Sequence, residues 1–299
     1  MPTKCHNDKK KKLTNSLLTK QSDKLLFHTF DDTLKPHIEE LLSLGKSAGA
    51  DLVEVFLEKS DNISLLAEQD DISNVSPSFG VGAGIRVFLG KKDGFVSTND
   101  LSKSGLLFAL SQALDMLGLE ICSQNKLKFD GLTNLKDYGS VKNNWLMDSP
   151  DLQESTAKLL ESTKELSKKN KNLNVRRASY SRNWQEVLVA ASDGVFARDI
   201  RLHQTVGINV IAIQDQKRST SARRYGSSGN PNDLRNWNID KSATELNESA
   251  QKMLYAEYVE AGQMPVVLAN KFGGVIFHEA CGHLLETTQI ERGTSPFHD

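Results

Sequence analysis

This 299-residue chain has very little cysteine. Cys5, Cys122 and Cys281 form an odd, widely separated set, which argues against a disulfide scaffold. That scarcity points to a reducing compartment, and the cytoplasm is the expected location. Long apolar runs are missing as well. None approaches the ~20 residues that a membrane-spanning helix needs, so no membrane partner is expected. An excess of one charge is the third absence: 37 Lys and Arg stand against 38 Asp and Glu, a formal net charge of −1. Such a balance gives no electrostatic reason to expect nucleic acid as the partner. Internal repeats of about 20–50 residues are also lacking, which excludes a solenoid or propeller.

The length allows two ordinary domains and a sizeable core. The first stretch, "MPTKCHNDKKKKLTNSLLTKQSDK", is basic and polar, and no apolar signal segment follows it. Residues 1–24 read as a disordered tail, a solubilising extension rather than an address for nucleic acid or an organelle. From 25 to 118 the pattern is helix, antiparallel strands, helix. "DTLKPHIEELLSLGKSAGA" carries Leu34, Ile38, Leu41, Leu42 and Leu44 at helical spacing, with Gly45 and Gly49 marking its end. "DLVEVFLEKS" and "NISLLAEQ" read as a hairpin around Asp61 and Asn62, and two further strands flank Lys91–Gly94. "SKSGLLFALSQALDMLG" returns to helix, with Leu107, Leu110, Leu114 and Leu117 on one face.

Residues 119–150 lack periodicity and read as a linker. The segment 151–239 follows Ser149, a good cap, and Pro150, a good first helical residue, so it opens as a helix, followed by strands joined by a turn at Ser192, Asp193 and Gly194. "QKRSTSARRYGSSGNPND" reads as an exposed polar loop, whose Arg223 and Arg224 are either solvated charges or a grip for a carboxylate. Residues 240–299 begin with a helix capped by Asp240 and stopped at Gly262, then the apolar strand "MPVVLAN", then a final helix from Phe272. That strand is either part of the core or an edge to which an extended substrate adds. The fold class is α+β: antiparallel sheets with packed helices, then the start of a catalytic domain.

The final helix carries the chemistry. "FGGVIFHEACGHLLE" places His278, Glu279 and His283 together, with the histidines five apart. In a regular α-helix positions five apart lie about 140° from each other around the axis, and two imidazoles so splayed cannot readily meet on one zinc. A π-bulge, with its i→i+5 bond, removes the objection, and Gly282 is a suitable place to absorb the extra residue. In the four-residue version of this motif the glutamate is the general base. Glu279 would then take a proton from a zinc-bound water and return it to the leaving amine. The plain alternative is two histidines satisfied by other groups in a partly buried helix among Val275, Ile276, Phe277, Leu284 and Leu285. A catalytic zinc takes three protein ligands, and only two are evident. Cys281 reads as a small packing residue, Glu286 as a support or surface group, and Glu291 and His298 as open candidates.

"GQMPVVLANKFGGVIFHEACGHLLETTQIERGTSPF" resembles the metal-site region of the TldD/PmbA peptidases, on the TldD side. The segments "FGVGAGIRVFLGKKDGFVSTNDLS" and "VLVAASDGVFARDIRLHQTVGINVIA" are similar to that family's N-terminal region, so the likeness spans roughly residues 33–299. The resemblance implies a zinc metallopeptidase subunit that degrades unstructured peptides and pairs with a PmbA/TldE-like partner. By this match His278 and His283 carry Zn2+ and Glu279 is the catalytic base. The family's third ligand is a cysteine in its C-terminal domain, and none of the three cysteines here matches it. The chain is thus expected to be a shortened TldD whose activity in isolation is weak. The alternative expectation is a non-catalytic interaction subunit or an inactive fragment of such a complex.

Overall fold

A computed structural model describes residues 30, 34–121, 130–138, 152–170, 173–228 and 237–297. The chain divides into two compact units, Met1–Tyr255 and Ala256–Asp299. The first contains helices α1 (Lys35–Ser47), α2 (Lys103–Asp115), α3 (Leu152–Lys169) and α4 (Ile239–Leu254). Its strands are β1 (Leu52–Glu68), β2 (Asp71–Leu89), β3 (Lys92–Thr98), β4 (Lys136–Asp137), β5 (Leu173–Ala191), β6 (Phe196–Gln214) and β7 (Lys217–Ser228). They form one sheet in the order β3-β2-β1-β5-β6, with β4 and β7 also pairing β6. Every pairing is antiparallel except β4 with β6. The β1–β5 pairing unites the two strand-rich blocks of the sequence in a single sheet.

The register explains the core. Val55 lies opposite Ala190, and Leu65 opposite Tyr180, so odd positions of β1 share a face with even positions of β5. At one end of the long strands that face buries Val53, Val55 and Leu188 with Leu42 of α1 and Leu110 and Leu114 of α2. At the other end Leu65, Ala178 and Tyr180 pack with Leu159 of α3, and Ile208 and Val210 with Leu246 and Ala250 of α4. Each fully buried leucine or isoleucine contributes about 1.5–3 kcal/mol of transfer free energy. The middle of the opposite face is polar, with Ser60, Asn62, Ser64, Ser181, Asn183 and Gln185 on it, while Phe56, Val187 and Val189 lie nearer one end.

Between the two apolar ends runs a polar band on the helix-bearing face. Arg182 meets Asp61 at 3.1 Å, and the Lys59 ammonium stands 3.8 Å from Glu186 Oε2. Glu186 is 1% exposed, and its Oε1 accepts the Phe30 N–H at 2.7 Å. Arg198 donates to the Phe30 carbonyl at 3.0 Å, and Lys59 lies 4.2 Å above the Phe30 ring. Phe30 is therefore held at both backbone polar groups and at its side chain.

Several local expectations change. Asp61 and Asn62 do not turn the chain: β1 runs straight through them, because Arg182 pairs with Asp61 and Asn183 with Asn62 across the sheet. The turn comes at Gln69, with φ 58°. Gly45 lies inside α1, buried against Val53, and Gly49, at φ 101°, follows the helix end. Residues 217–228 are strand β7, not a loop. Asp215 and Gln216, both with positive φ, form its hairpin turn. Ser219, Ser221 and Ser227 are buried in β7, and Ser219 donates to the Ala250 carbonyl at 2.7 Å. Small hydroxyl side chains serve there because α4 lies close, and a polar composition hid the strand. Helix α4 is capped by Asn238, whose side chain accepts the Lys241 N–H at 2.8 Å, rather than by Asp240. It ends at Leu254 rather than Gly262, since Leu254 is the last residue of its buried stripe. The Ser192–Gly194 turn is present as expected, with Gly194 at φ 104°. Ser149 and Pro150 lie outside the described residues, as do Cys5 and Cys122. Among the described residues no helix is long and apolar enough to cross a membrane.

Gly94 shows how closely α2 sits on the sheet. A Cβ there would stand 2.2 Å from the Ala113 carbonyl oxygen, a backbone atom that cannot turn aside. Gly94→Ala is expected to destabilise the chain by about 1–3 kcal/mol through overpacking. Thermal unfolding followed by circular dichroism reads this as a fall of about 2–4 °C per kcal/mol. An unchanged melting temperature would mean that α2 can lift from β3 without cost.

Candidate metal centre

The second unit begins with an irregular stretch. The expected strand "MPVVLAN" does not form: residues 263–269 pair with no strand among the described residues and have no helical bonding. Val266, Val267 and Leu268 are exposed, and without polar–apolar alternation they offer no single face to a sheet. A short helical run follows whose hydrogen bonding changes from turn to turn. Lys271–Gly274 is a 3-10 turn, Val275–Phe277 an α turn, His278–Gly282 a π turn and His283–Leu285 a second 3-10 turn. The chain leaves the helix at Glu286, at φ −65° and ψ 133°, and re-enters one at Thr287–Glu291.

The π turn lies on the motif itself. The His283 N–H donates to the His278 carbonyl, an i→i+5 bond that brings positions five apart onto one side. The two imidazole rings are 4.6 Å apart between centroids, at 68°. The expected role for Gly282 needs correction. Its φ of −58° and ψ of −51° are ordinary helical values, and a Cβ would meet the His278 ring at 3.5 Å, a normal contact. The extra residue is absorbed by the bonding of the whole turn rather than by an unusual glycine conformation.

One ligand atom from each of His278, Glu279 and His283 lies within 4.8 Å of the others. His283 Nε2 is 3.7 Å from Glu279 Oε2, and His283 Nδ1 is 2.6 Å from Glu286 Oε1. The Glu286 hydrogen bond, then its charge, raise the His283 pKa above the usual imidazole value; the Glu279 charge adds to this and partial desolvation opposes it. A metal entering the site must therefore compete with a proton on His283.

The donor set fits a borderline divalent ion such as zinc, which takes imidazole nitrogen and carboxylate oxygen. Zn–N bonds of about 2.1 Å hold two nitrogens no more than about 4.2 Å apart. The observed spread needs only a small rotation of exposed side chains to meet that limit. Among the described residues this is the only such group of three or more His, Cys, Asp or Glu. Cys281 does not pack as a small apolar residue: it is exposed, on a short helix with no buried residue. Glu286 stands in hydrogen-bond contact with His283. Arg223 and Arg224 are exposed on β7. Glu291 closes the last short helix, and His298 lies outside the described residues. The clamp on Phe30 escaped sequence reasoning altogether, because nothing local distinguishes Glu186 from other strand carboxylates.

Comparison with known proteins gives consistent results. The family profile described as PmbA/TldA metallopeptidase domain 1 matches residues 53–117, and the PmbA/TldA metallopeptidase central domain matches residues 146–254. Both matches lie on the sheet-bearing unit, outside the histidine motif. A metalloprotease of Methanocaldococcus jannaschii is 24% identical over 270 residues, covering 88% of this chain and 56% of that protein. A metalloprotease TldD homologue of Haemophilus influenzae is 26% identical over 251 residues, covering 79% of this chain and 50% of that protein. The chain thus spans about half the length of these curated relatives. Among solved structures, a Bacteroides thetaiotaomicron protein described as a modulator of DNA gyrase has a TM-score of 0.64 at 13% identity, covering 88% of this chain and 59% of that one. TldE from Thermococcus kodakarensis has a TM-score of 0.56 at 17% identity, covering 87% of this chain and 57% of that one.

Proposed function

Since the chain belongs to the PmbA/TldD metallopeptidase family, we propose that it is a TldD-like, zinc-dependent peptidase subunit acting on unstructured peptides. The observation that carries this reading is the π turn, which gathers His278, Glu279 and His283 despite their five-residue spacing. His278 and His283 hold the metal through ring nitrogens. When bound, zinc supplies Lewis-acid polarisation of the scissile carbonyl and acidifies a water. Glu279 accepts the proton of the attacking water on a carboxylate oxygen and delivers it to the leaving amine nitrogen. Its exposure leaves that oxygen reachable. A third protein ligand completes such a site. In this reading it is a cysteine from the family's C-terminal domain, and the partner is a PmbA/TldE-like subunit. The scarcity of cysteine supports a cytoplasmic location.

The test is zinc titration of this chain beside His278→Ala and His283→Ala. With His278 and His283 as its two protein ligands among the described residues, the chain is expected to bind zinc weakly and to lose it on dialysis. Each alanine variant removes a ligand outright and is expected to bind at least tenfold more weakly, no less than the roughly 10–100-fold cost of losing an outer hydrogen-bonding partner. Equal zinc binding in all three proteins would place the metal elsewhere. A second reading, a non-catalytic interaction subunit, draws on the family matches lying outside the motif. Absence of site-dependent zinc binding in the wild type would favour it.

A further inference from the structure

Glu286 is separated from His283 by two leucines and stands outside the His278-Glu279-His283 group. Its carboxylate Oε1 lies 2.6 Å from His283 Nδ1. A carboxylate is an acceptor only, so the shared hydrogen belongs to Nδ1. In the neutral imidazole this leaves the lone pair on Nε2, the nitrogen that stands 3.7 Å from Glu279 Oε2. The backbone also sets the position of Glu286. Its own N–H bonds to the His283 carbonyl at 3.4 Å, and its carbonyl accepts the Gln289 and Ile290 N–H groups at 2.9 and 3.1 Å. The chain breaks out of helical geometry at this one residue and resumes at the next, which brings the carboxylate back beside the ring of His283.

We infer that Glu286 is a positioning residue that locks His283 in the Nδ1–H tautomer and presents Nε2 to the metal. This rests on the zinc-peptidase reading of the site. Glu286 does not itself hold the ion: its carboxylate is engaged at the nitrogen that turns away from Glu279. A hydrogen-bonded carboxylate behind a ligating imidazole fixes ring orientation and raises ligand basicity, and its loss costs about 10–100-fold in metal affinity.

The experiment uses the full chain labelled with 15N-histidine, free of metal, at a pH well above the imidazole range. Two-bond 1H–15N correlation reports the tautomer of His283. The wild type is expected to show the Nδ1–H pattern. Glu286→Ala is expected to move it toward Nε2–H, and Glu286→Gln, whose amide oxygen still accepts from Nδ1–H, to retain it. Zinc titration of the same proteins is expected to show about a 10–100-fold loss for Glu286→Ala and substantial recovery for Glu286→Gln. An Nε2–H pattern in the wild type, or one unchanged in Glu286→Ala, overturns the assignment. Complete loss of zinc in both variants overturns it too, and makes Glu286 a ligand. If the wild type binds no zinc, the zinc-peptidase reading fails, while the tautomer still decides whether Glu286 orients the ring.

Discussion

Glu279→Ala is expected to reduce peptide cleavage by about 100- to 10,000-fold, the usual contribution of a positioned general acid–base. Zinc binding should persist. In the proposed mechanism the two effects separate, since the metal would be held by the histidine ring nitrogens and the proton accepted by Glu279. The assay pairs cleavage of an unstructured peptide with zinc content in one preparation, using any assembly whose wild type cleaves. Glu279→Gln should be nearly as inactive, since an amide cannot accept the proton. Undiminished cleavage in either variant would remove Glu279 from the mechanism. Joint loss of zinc and cleavage would turn it from a base into a ligand.

The largest stability effect is expected at Glu186, far from the motif in sequence. Glu186→Ala removes the acceptor of the buried Phe30 N–H and the carboxylate that faces the Lys59 ammonium. Breaking a buried pair of this kind costs about 3–5 kcal/mol, and part of that comes from the stranded donor. Chemical denaturation should show the loss as a lower midpoint at unchanged slope. Burial pushes the Glu186 carboxyl above the usual glutamate range, against the opposing pull of the Phe30 N–H and of the Lys59 and Arg198 charges. With the folded pKa raised, the folded state holds its proton where the unfolded chain, at about 4.3, has released it. Stability from this group is therefore fully present below the unfolded pKa and is lost as pH rises through the folded one. Glu186→Gln removes the titration while keeping an acceptor for Phe30. The wild type should decline relative to this variant as pH rises from about 4, until the difference levels off. A difference that does not vary with pH would show that the carboxyl titrates alike in both states.

Helices α1 and α2 and the β5–β6 turn were legible because their signals are local. Apolar residues recur at helical spacing, and Ser192-Asp193-Gly194 offers a tight turn between apolar runs. Where the reading failed, a partner distant in sequence had intervened. Asp61 and Asn62 look like a turn until Arg182 and Asn183 are placed beside them, 121 residues away. Ser219 and Ser221 look like loop residues until α4 covers them. "MPVVLAN" looks like a strand because it is apolar, but apolar character without a partner strand makes no sheet.

The metal motif belongs to the first kind. Bonding from His283 back to His278 spans six residues, and the convergence of two rings follows from turn geometry alone, so the sequence by itself determined that a five-residue spacing can bring two imidazoles to one side of a turn. The sheet belongs to the second kind. Pairing β1 with β5 brings together residues more than a hundred positions apart, and that register decides which side chains are buried and which carboxylate ends up in the interior. Only the tertiary structure could decide these, because strand partners are chosen by the burial they achieve jointly and not by any property of either segment alone.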